Sequence, residues 1–165
     1  MSDTSQLTTQ LTTQLWDLPD PFIIEHTARS SEVDGYGHIN NSVYVQWMDK
    51  CVWQHCESVG MSFQFCRDLG KGFAAIRHEI DYLKASYADD KVLIANWVTF
   101  NDQKLRAERQ FQIIRVEGWT TLLRAKSKYV CTDLNSGRPC RMPQQFKTGF
   151  DVLDSVSEHL LSLKA

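Results

Sequence analysis

One stretch constrains this chain more than any other. Asp34-Gly35-Tyr36-Gly37-His38-Ile39-Asn40-Asn41-Ser42-Val43-Tyr44 begins as a polar, glycine-bearing loop and runs straight into an apolar segment that ends near Val59. The loop holds a carboxylate, an imidazole and two carboxamides. The segment behind it places Val43, Tyr44, Val45, Trp47, Met48, Cys51, Val52, Trp53, Cys56 and Val59 around most of a helix, so the spacing predicts a buried one. Asn41 or Ser42 can accept its first free amide hydrogens, and Gly60 suits its C-terminal stop. A buried helix that starts beside an acid is a plausible catalytic centre. Its unpaired N–H groups and its dipole stabilise an anion as the anion forms.

Strand patterns surround this helix. Phe22 to Val33 reads as a first strand leading to Asp34. Phe73 to Lys84 alternates Ala74, Ile76, His78, Ile80 and Tyr82 against Arg77, Glu79 and Asp81. Val92 to Phe100 is apolar enough for a buried strand, after a turn at Ala88-Asp89-Asp90. Leu105 to Val116 sets Leu105, Ala107, Phe111 and Ile113 against Arg106, Glu108, Gln110 and Gln112, and a turn at Glu117-Gly118 leads into Thr120 to Thr132. Short helices are expected from Gln144 onward, with Val152 to Leu163 weakly amphipathic. Strands that follow one another through short turns must pair antiparallel, because parallel neighbours need long crossovers. A twelve-residue strand spans about 40 Å and an 18-residue helix about 27 Å, so such a sheet can curl around the helix. The expected class is α+β, with a long central helix wrapped by a curved antiparallel sheet.

At 165 residues one domain is expected, from 20 to 165, preceded by a flexible tail over 1–19. Within that tail, Leu7, Leu11 and Leu15 recur every four residues among threonines, which are poor helix formers. A net charge of −2 gives no whole-molecule case for nucleic acid or an anionic membrane. No apolar run approaches the length of a membrane span. The N-terminus lacks the basic and apolar regions of an export signal, so a cytoplasmic location is expected. The five cysteines form no CxxC pair, so reduced thiols and no metal site are expected.

The element order, with Asp34-x-x-Gly37-His38-Ile39-Asn40-Asn41-x-x-Tyr44, resembles the hotdog-fold thioesterases of the 4-hydroxybenzoyl-CoA thioesterase type. His78-x-Ile80-Asp81-Tyr82-Leu83-Lys84, followed by Asp89 or Asp90 before an apolar strand, is similar too, as is the closing Arg141-Met142-Pro143. The resemblance covers about residues 20 to 145. It implies an acyl-CoA thioesterase without a cofactor, with Asp34 as the catalytic carboxylate and the backbone N–H at Asn41 binding the thioester carbonyl. It further implies a site between protomers, hence at least a homodimer, with a homotetramer expected. Asn40-Asn41 stands where hydroxybenzoyl-specific enzymes carry an aromatic and a proline, so the resemblance does not extend to that acyl group.

Thioester hydrolysis needs a carboxylate that attacks directly or activates water, and a donor for the oxyanion. Asp34 supplies the first and the helix N-terminus the second; a solvated turn residue is the competing reading of Asp34. His38 either orients the thioester or bonds within its loop, and Asn40 and Asn41 either cap the helix or shape the site. Tyr44 and His78 are substrate-binding candidates, each with core packing as the alternative. Lys84, Arg106, Arg124, Lys126 and Lys128 are candidates to meet coenzyme A phosphates. His26, His55 and His159 have no acidic or nucleophilic company in sequence. Two other functions remain open at this point. One is a hotdog hydratase or dehydratase, which needs a paired His and acid, and the other is a non-catalytic acyl-CoA binding module.

Overall fold

The computed structural model describes residues 15–164. The leucine repeat of the N-terminus, apart from Leu15, lies outside the described residues. Strand β1 (Phe22–Thr27) leads through a 3-10 turn at Ser30–Glu32 to the central helix α1 (Asn41–Ser58), followed by a short helix α2 (Phe63–Leu69). Four strands then run in succession: β2 (Lys71–Tyr82), β3 (Lys91–Asn101), β4 (Arg106–Arg115) and β5 (Thr120–Asp133). Two helices close the chain, α3 (Gln144–Gly149) and α4 (Asp154–Ser162). The sheet order is β1-β3-β4-β5-β2, and every pair is antiparallel.

Helix α1 begins where its sequence dictates. Asn40 is extended at φ −60°, ψ 137°, and its side chain accepts the Ser42 N–H. At the other end Gly60 takes φ +79°, and the Met61 N–H returns to Cys56 O at 2.8 Å. The helix lays Val43, Tyr44, Trp47, Met48 and Cys51 on the sheet, among Ile24, Val92, Ile94, Phe111, Ile113, Leu122 and Leu123. It is not buried on every side. Gln46, Asp49, Lys50, Gln54 and Glu57 form an exposed stripe.

Strand β1 is shorter than the alternation predicts. It stops at Thr27 because Ala28 leaves the ladder to exchange backbone hydrogen bonds with Asp89 and Asp90, at 2.8 and 2.9 Å. Glu32 then turns inward, where its carboxylate accepts the Trp47 Nε1–H at 3.1 Å and the Arg29 N–H at 2.7 Å and meets His26 Nε2 at 3.2 Å. Burial pushes the Glu32 carboxyl up, but these partners outweigh it and hold it below the usual range.

The alternation in β2 also shifts. A bulge between Ala75 and Arg77, opposite Tyr129 and Lys128, inserts Ile76 as an unpaired residue. The residues over the helix are therefore Phe73 and Ala75 before the bulge, and His78, Ile80 and Tyr82 after it; Ala74 falls on the other face. β2 is a sheet edge, and it leaves Ile76 58% and Tyr82 44% exposed.

The outer face of the sheet is covered as well. Trp16 and Leu18 pack with Ala95, Trp97, Ile114 and Val156 of α4. The Asp17 N–H bonds Gln112 Oε1 at 2.9 Å, and Pro19 O accepts Trp97 Nε1–H at 2.7 Å. Residues 15–19 thus belong to the packed domain, contrary to a flexible tail reaching to 19. This cover explains why Gln112, on the face expected to be polar and solvated, is 1% exposed. Trp16→Ala is expected to cost about 3 kcal/mol or more of unfolding free energy, the usual range for a buried tryptophan. Equilibrium denaturation would measure it, and a loss below about 1 kcal/mol would show that the segment docks without contributing stability.

Candidate active site

The loop before α1 is built from its own backbone. The Asp34 N–H donates to His38 O at 2.8 Å, the Gly37 N–H donates to Asp34 O at 3.0 Å, and Val33 and Ile39 form an antiparallel bridge. Gly37 sits at φ +83°, which a glycine adopts without strain. Asp34 is half-buried, and its Oδ1 accepts the Tyr36 N–H at 2.8 Å. Its other carboxylate oxygen has no protein hydrogen bond among the described residues.

Asn40 is the cap, taking Ser42 N–H at 2.9 Å and Ser42 Oγ–H at 2.8 Å on one oxygen. Asn41 then opens the helix with an N–H that meets no acceptor among the described residues, as the first turn of a helix requires. The two sequence stretches that resemble the family meet here. The Ile39 N–H bonds Ser86 O at 2.8 Å, His38 packs edge-on against Tyr87 with centroids 5.8 Å apart, and Tyr82 Oη–H donates to Asn41 O at 3.0 Å.

Asp34, His38, Asn41, Tyr44, Tyr82 and Lys84 line one open cavity of about 220 Å³. Four of the six predicted site residues are therefore brought together. Asn40 stands behind them as the cap. Tyr44 is buried between Trp47 and Tyr82, at centroid distances of 5.0 and 5.7 Å, so it walls the cavity as a core residue. Burial pushes its phenol pKa up.

His78 lies elsewhere, in a groove of about 360 Å³ between the exposed stripe of α1 and β2. Its Nδ1 is 2.7 Å from Ser127 Oγ, and Asp49 lines the same groove. Burial pushes the Asp49 carboxyl up, while the His78 imidazole across the groove pulls it down. Sequence reasoning passed over Asp49. The one available signal was an acid in the middle of a helix otherwise rich in large apolar residues.

Of the basic residues considered for phosphate binding, Lys84 borders the Asp34 cavity. Arg124 is paired with Asp17, and Lys126 and Lys128 flank Glu108 at 2.8 and 3.6 Å.

The model of the Thioesterase-like superfamily matches residues 28–150, more than half of the chain. Among solved structures, a 1,4-dihydroxy-2-naphthoyl-CoA thioesterase from Synechocystis is similar at 20% identity and TM-score 0.72, over 79% of this chain and 96% of that one. A hypothetical protein from Staphylococcus aureus in complex with CoA is similar at 16% identity and TM-score 0.73, over 81% and 84%. The probable thioesterase YbaW from Escherichia coli is similar at 19% identity and TM-score 0.66, over 80% and 99%. At such identities the structures speak for the fold, and that fold is the hotdog. With the family match running from Ala28 through the Asp34 loop, the helix and all four later strands, the chain belongs to the thioesterase-like superfamily.

Proposed function

We propose that this protein is an acyl-CoA thioesterase that works through Asp34. The observation that carries the reading is the joint exposure of the Asp34 carboxylate and the unpaired Asn41 N–H to one cavity at the start of a buried helix. The thioester carbonyl accepts the Asn41 N–H, where the helix dipole adds to the stabilisation of the oxyanion. Asp34 either attacks the carbonyl carbon, giving an anhydride that water opens, or takes a proton from the attacking water. In both cases the C–S bond breaks, a C–O bond to water oxygen forms, and the coenzyme A thiolate leaves and takes up a proton. His38 shapes the loop against Tyr87, and Lys84 at the rim is placed to meet a phosphate.

The minimum active unit on this reading is a homodimer, with a homotetramer as the fuller assembly. Support comes from β2, a twelve-residue edge strand whose outer ladder of backbone groups has no strand partner among the described residues, and from its exposed Ile76. Sedimentation at micromolar concentration is expected to give a dimer or larger species; a monomer alone would count against a shared site.

A second reading has one observation behind it. Asp49 and His78 share a groove, and a paired acid and imidazole is what a hotdog hydratase or dehydratase needs to move a proton on carbon. One experiment separates the readings. Saturated and 2-enoyl-CoAs are supplied in turn, and free thiol is followed alongside loss of the enoyl absorbance. Steady thiol release supports the thioesterase. Loss of enoyl absorbance without thiol supports the hydratase, and neither signal, with acyl-CoA still bound, supports a binding module.

A further inference from the structure

Beneath the groove lies a smaller cavity of about 90 Å³, lined among others by Asp49, Trp53, Phe73, Arg109 and Tyr129. The two spaces share Asp49, Ala75 and Tyr129, and with the Asp34 cavity they lie in succession along the seam between α1 and β2: at Asn41 and Tyr82, then at Val45 and His78, then at Trp53 and Phe73. The inner one is apolar apart from Asp49 and Tyr129 on the shared wall and Arg109 at its floor. There Arg109, a β4 residue pointing to the helix side of the sheet, is 1% exposed. Its Nη1 donates to His55 Nδ1 at 2.7 Å and to Asn96 Oδ1, and its guanidinium carbon lies 4.8 Å from the Phe150 ring centroid. Among the described residues no carboxylate comes within ion-pair distance of it.

A buried guanidinium without a counter-ion is costly, and proteins keep buried charges paired or hydrogen-bonded. His55 and Asn96 are neutral acceptors that leave the charge uncompensated. We propose that this cavity is the far end of the acyl site and that Arg109 receives an anionic carboxylate at the remote end of a long acyl chain. The proposal rests on the thioesterase reading above, and it names the substrate class as the monothioester of a long dicarboxylic acid.

Length and volume set the chain. Arg109 is level with His55 and Cys56 on α1, fifteen positions beyond Asn41, or about 22 Å along the helix. An extended chain advances roughly 3.5 Å per three bonds. With a hydrogen bond at each end, a chain of about sixteen carbons spans that distance. A 90 Å³ cavity has room for a carboxylate and the last methylenes of a chain. Asp49 lies on the wall shared with the groove, so the chain passes it with methylenes and carries its charge on to Arg109.

The test compares hexadecanedioyl-CoA with hexadecanoyl-CoA on the full-length protein at pH 7.5, followed by thiol release. Wild type is expected to favour the carboxylate-ended thioester by about tenfold or more in kcat/KM, the usual worth of a hydrogen bond to a charged group. Arg109→Met is expected to lose that preference, so that the two substrates are hydrolysed with similar kcat/KM whatever the variant's absolute rates. Equal or better hydrolysis of hexadecanoyl-CoA by wild type overturns the proposal, whether or not the variant folds. So does a folded variant that keeps the wild-type preference for the carboxylate-ended thioester. If wild type hydrolyses no thioester, the thioesterase reading fails on its own account. Calorimetric binding of hexadecanedioic against hexadecanoic acid then decides the inference, and it stands only if the diacid binds about tenfold tighter.

Discussion

Asp34→Asn is expected to lower kcat on the best acyl-CoA by about 10²–10⁴, the usual cost of removing a general base, or by more if Asp34 is the nucleophile. The substitution is close to isosteric, and the loop tolerates it. The amide oxygen of asparagine still accepts the Tyr36 N–H that Asp34 Oδ1 accepts at 2.8 Å, and the turn's other bonds come from the backbone of Asp34, Gly37 and His38. Fold and assembly should therefore survive. Affinity for acyl-CoA should change little, because the Asn41 N–H and the walls of Tyr44 and Tyr82 are untouched. His38→Ala should cost less than Asp34→Asn, since His38 meets Tyr87 edge-on and in the proposed mechanism only shapes the loop. Stopped assays of free thiol, with binding measured separately, would check the split. An Asp34→Asn protein within a few-fold of wild type would leave the proposed mechanism without its acid.

Much of the fold was legible in the sequence because most of its elements obey one period each. Helix α1 runs from Asn41 to Ser58, close to the bounds given by its caps, and the β4–β5 turn forms at Glu117–Trp119, with Gly118 at φ +71°. Where the pattern misled, a contact distant in sequence was responsible. β1 ends early because Asp89 and Asp90, some sixty residues on, take over the Ala28 backbone. The face of β2 changes at Ile76 because β5 opposes two of its residues with none to pair the third. Gln112 is buried because residues 15–19 and α4 lie on what strand alternation alone marks as a solvated face.

The Asp34 loop was legible for a different reason. Asp34, His38, Asn40 and Asn41 are near neighbours in sequence, so a local pattern captures them, and the cavity they share with Tyr44 needs only the helix to follow. The seam toward Arg109 could not be seen that way. It joins the middle of α1 to three strands, and Arg109 reads in isolation as one more charged residue on an alternating strand. Its position in phase with Ala107, Phe111 and Ile113 was the usable signal, since those three face the helix. His78 is a mixed case. Its inward face was read correctly, but the bulge and the groove set it beside Asp49 instead of the Asp34 cavity.

Stability is expected to fall by about 3 kcal/mol as pH drops from 6.5 toward 4, and His55 is the group responsible. Burial depresses its pKa to about 4, the Arg109 guanidinium adds to the effect, and the Asn96 carboxamide pulls weakly the other way. Arg109 always donates, so Nδ1 of His55 must be the bare nitrogen that receives it at 2.7 Å, and protonation there would set two cations together. The flat face of the ring stacks on Phe22 of β1, with centroids 4.8 Å apart, a contact too weak to offset a second cation beside Arg109. In the unfolded chain the same imidazole takes its proton near pH 6.5. Between the two values the unfolded state binds more protons, so acid favours unfolding. The stabilisation is fully present above 6.5, declines through the window and levels off below about 4. His55→Asn keeps a neutral acceptor opposite Arg109 without a titrating group. Its unfolding free energy should be flatter than that of wild type over this window, measured by urea titration at a series of pH values. Depressed carboxyls such as Glu32 and Asp102 add their own losses at the acid end, so the comparison is the difference between the two proteins. Parallel curves for wild type and His55→Asn would mean that the imidazole already carries its proton in the folded state, and that the contact with Arg109 is not the one described.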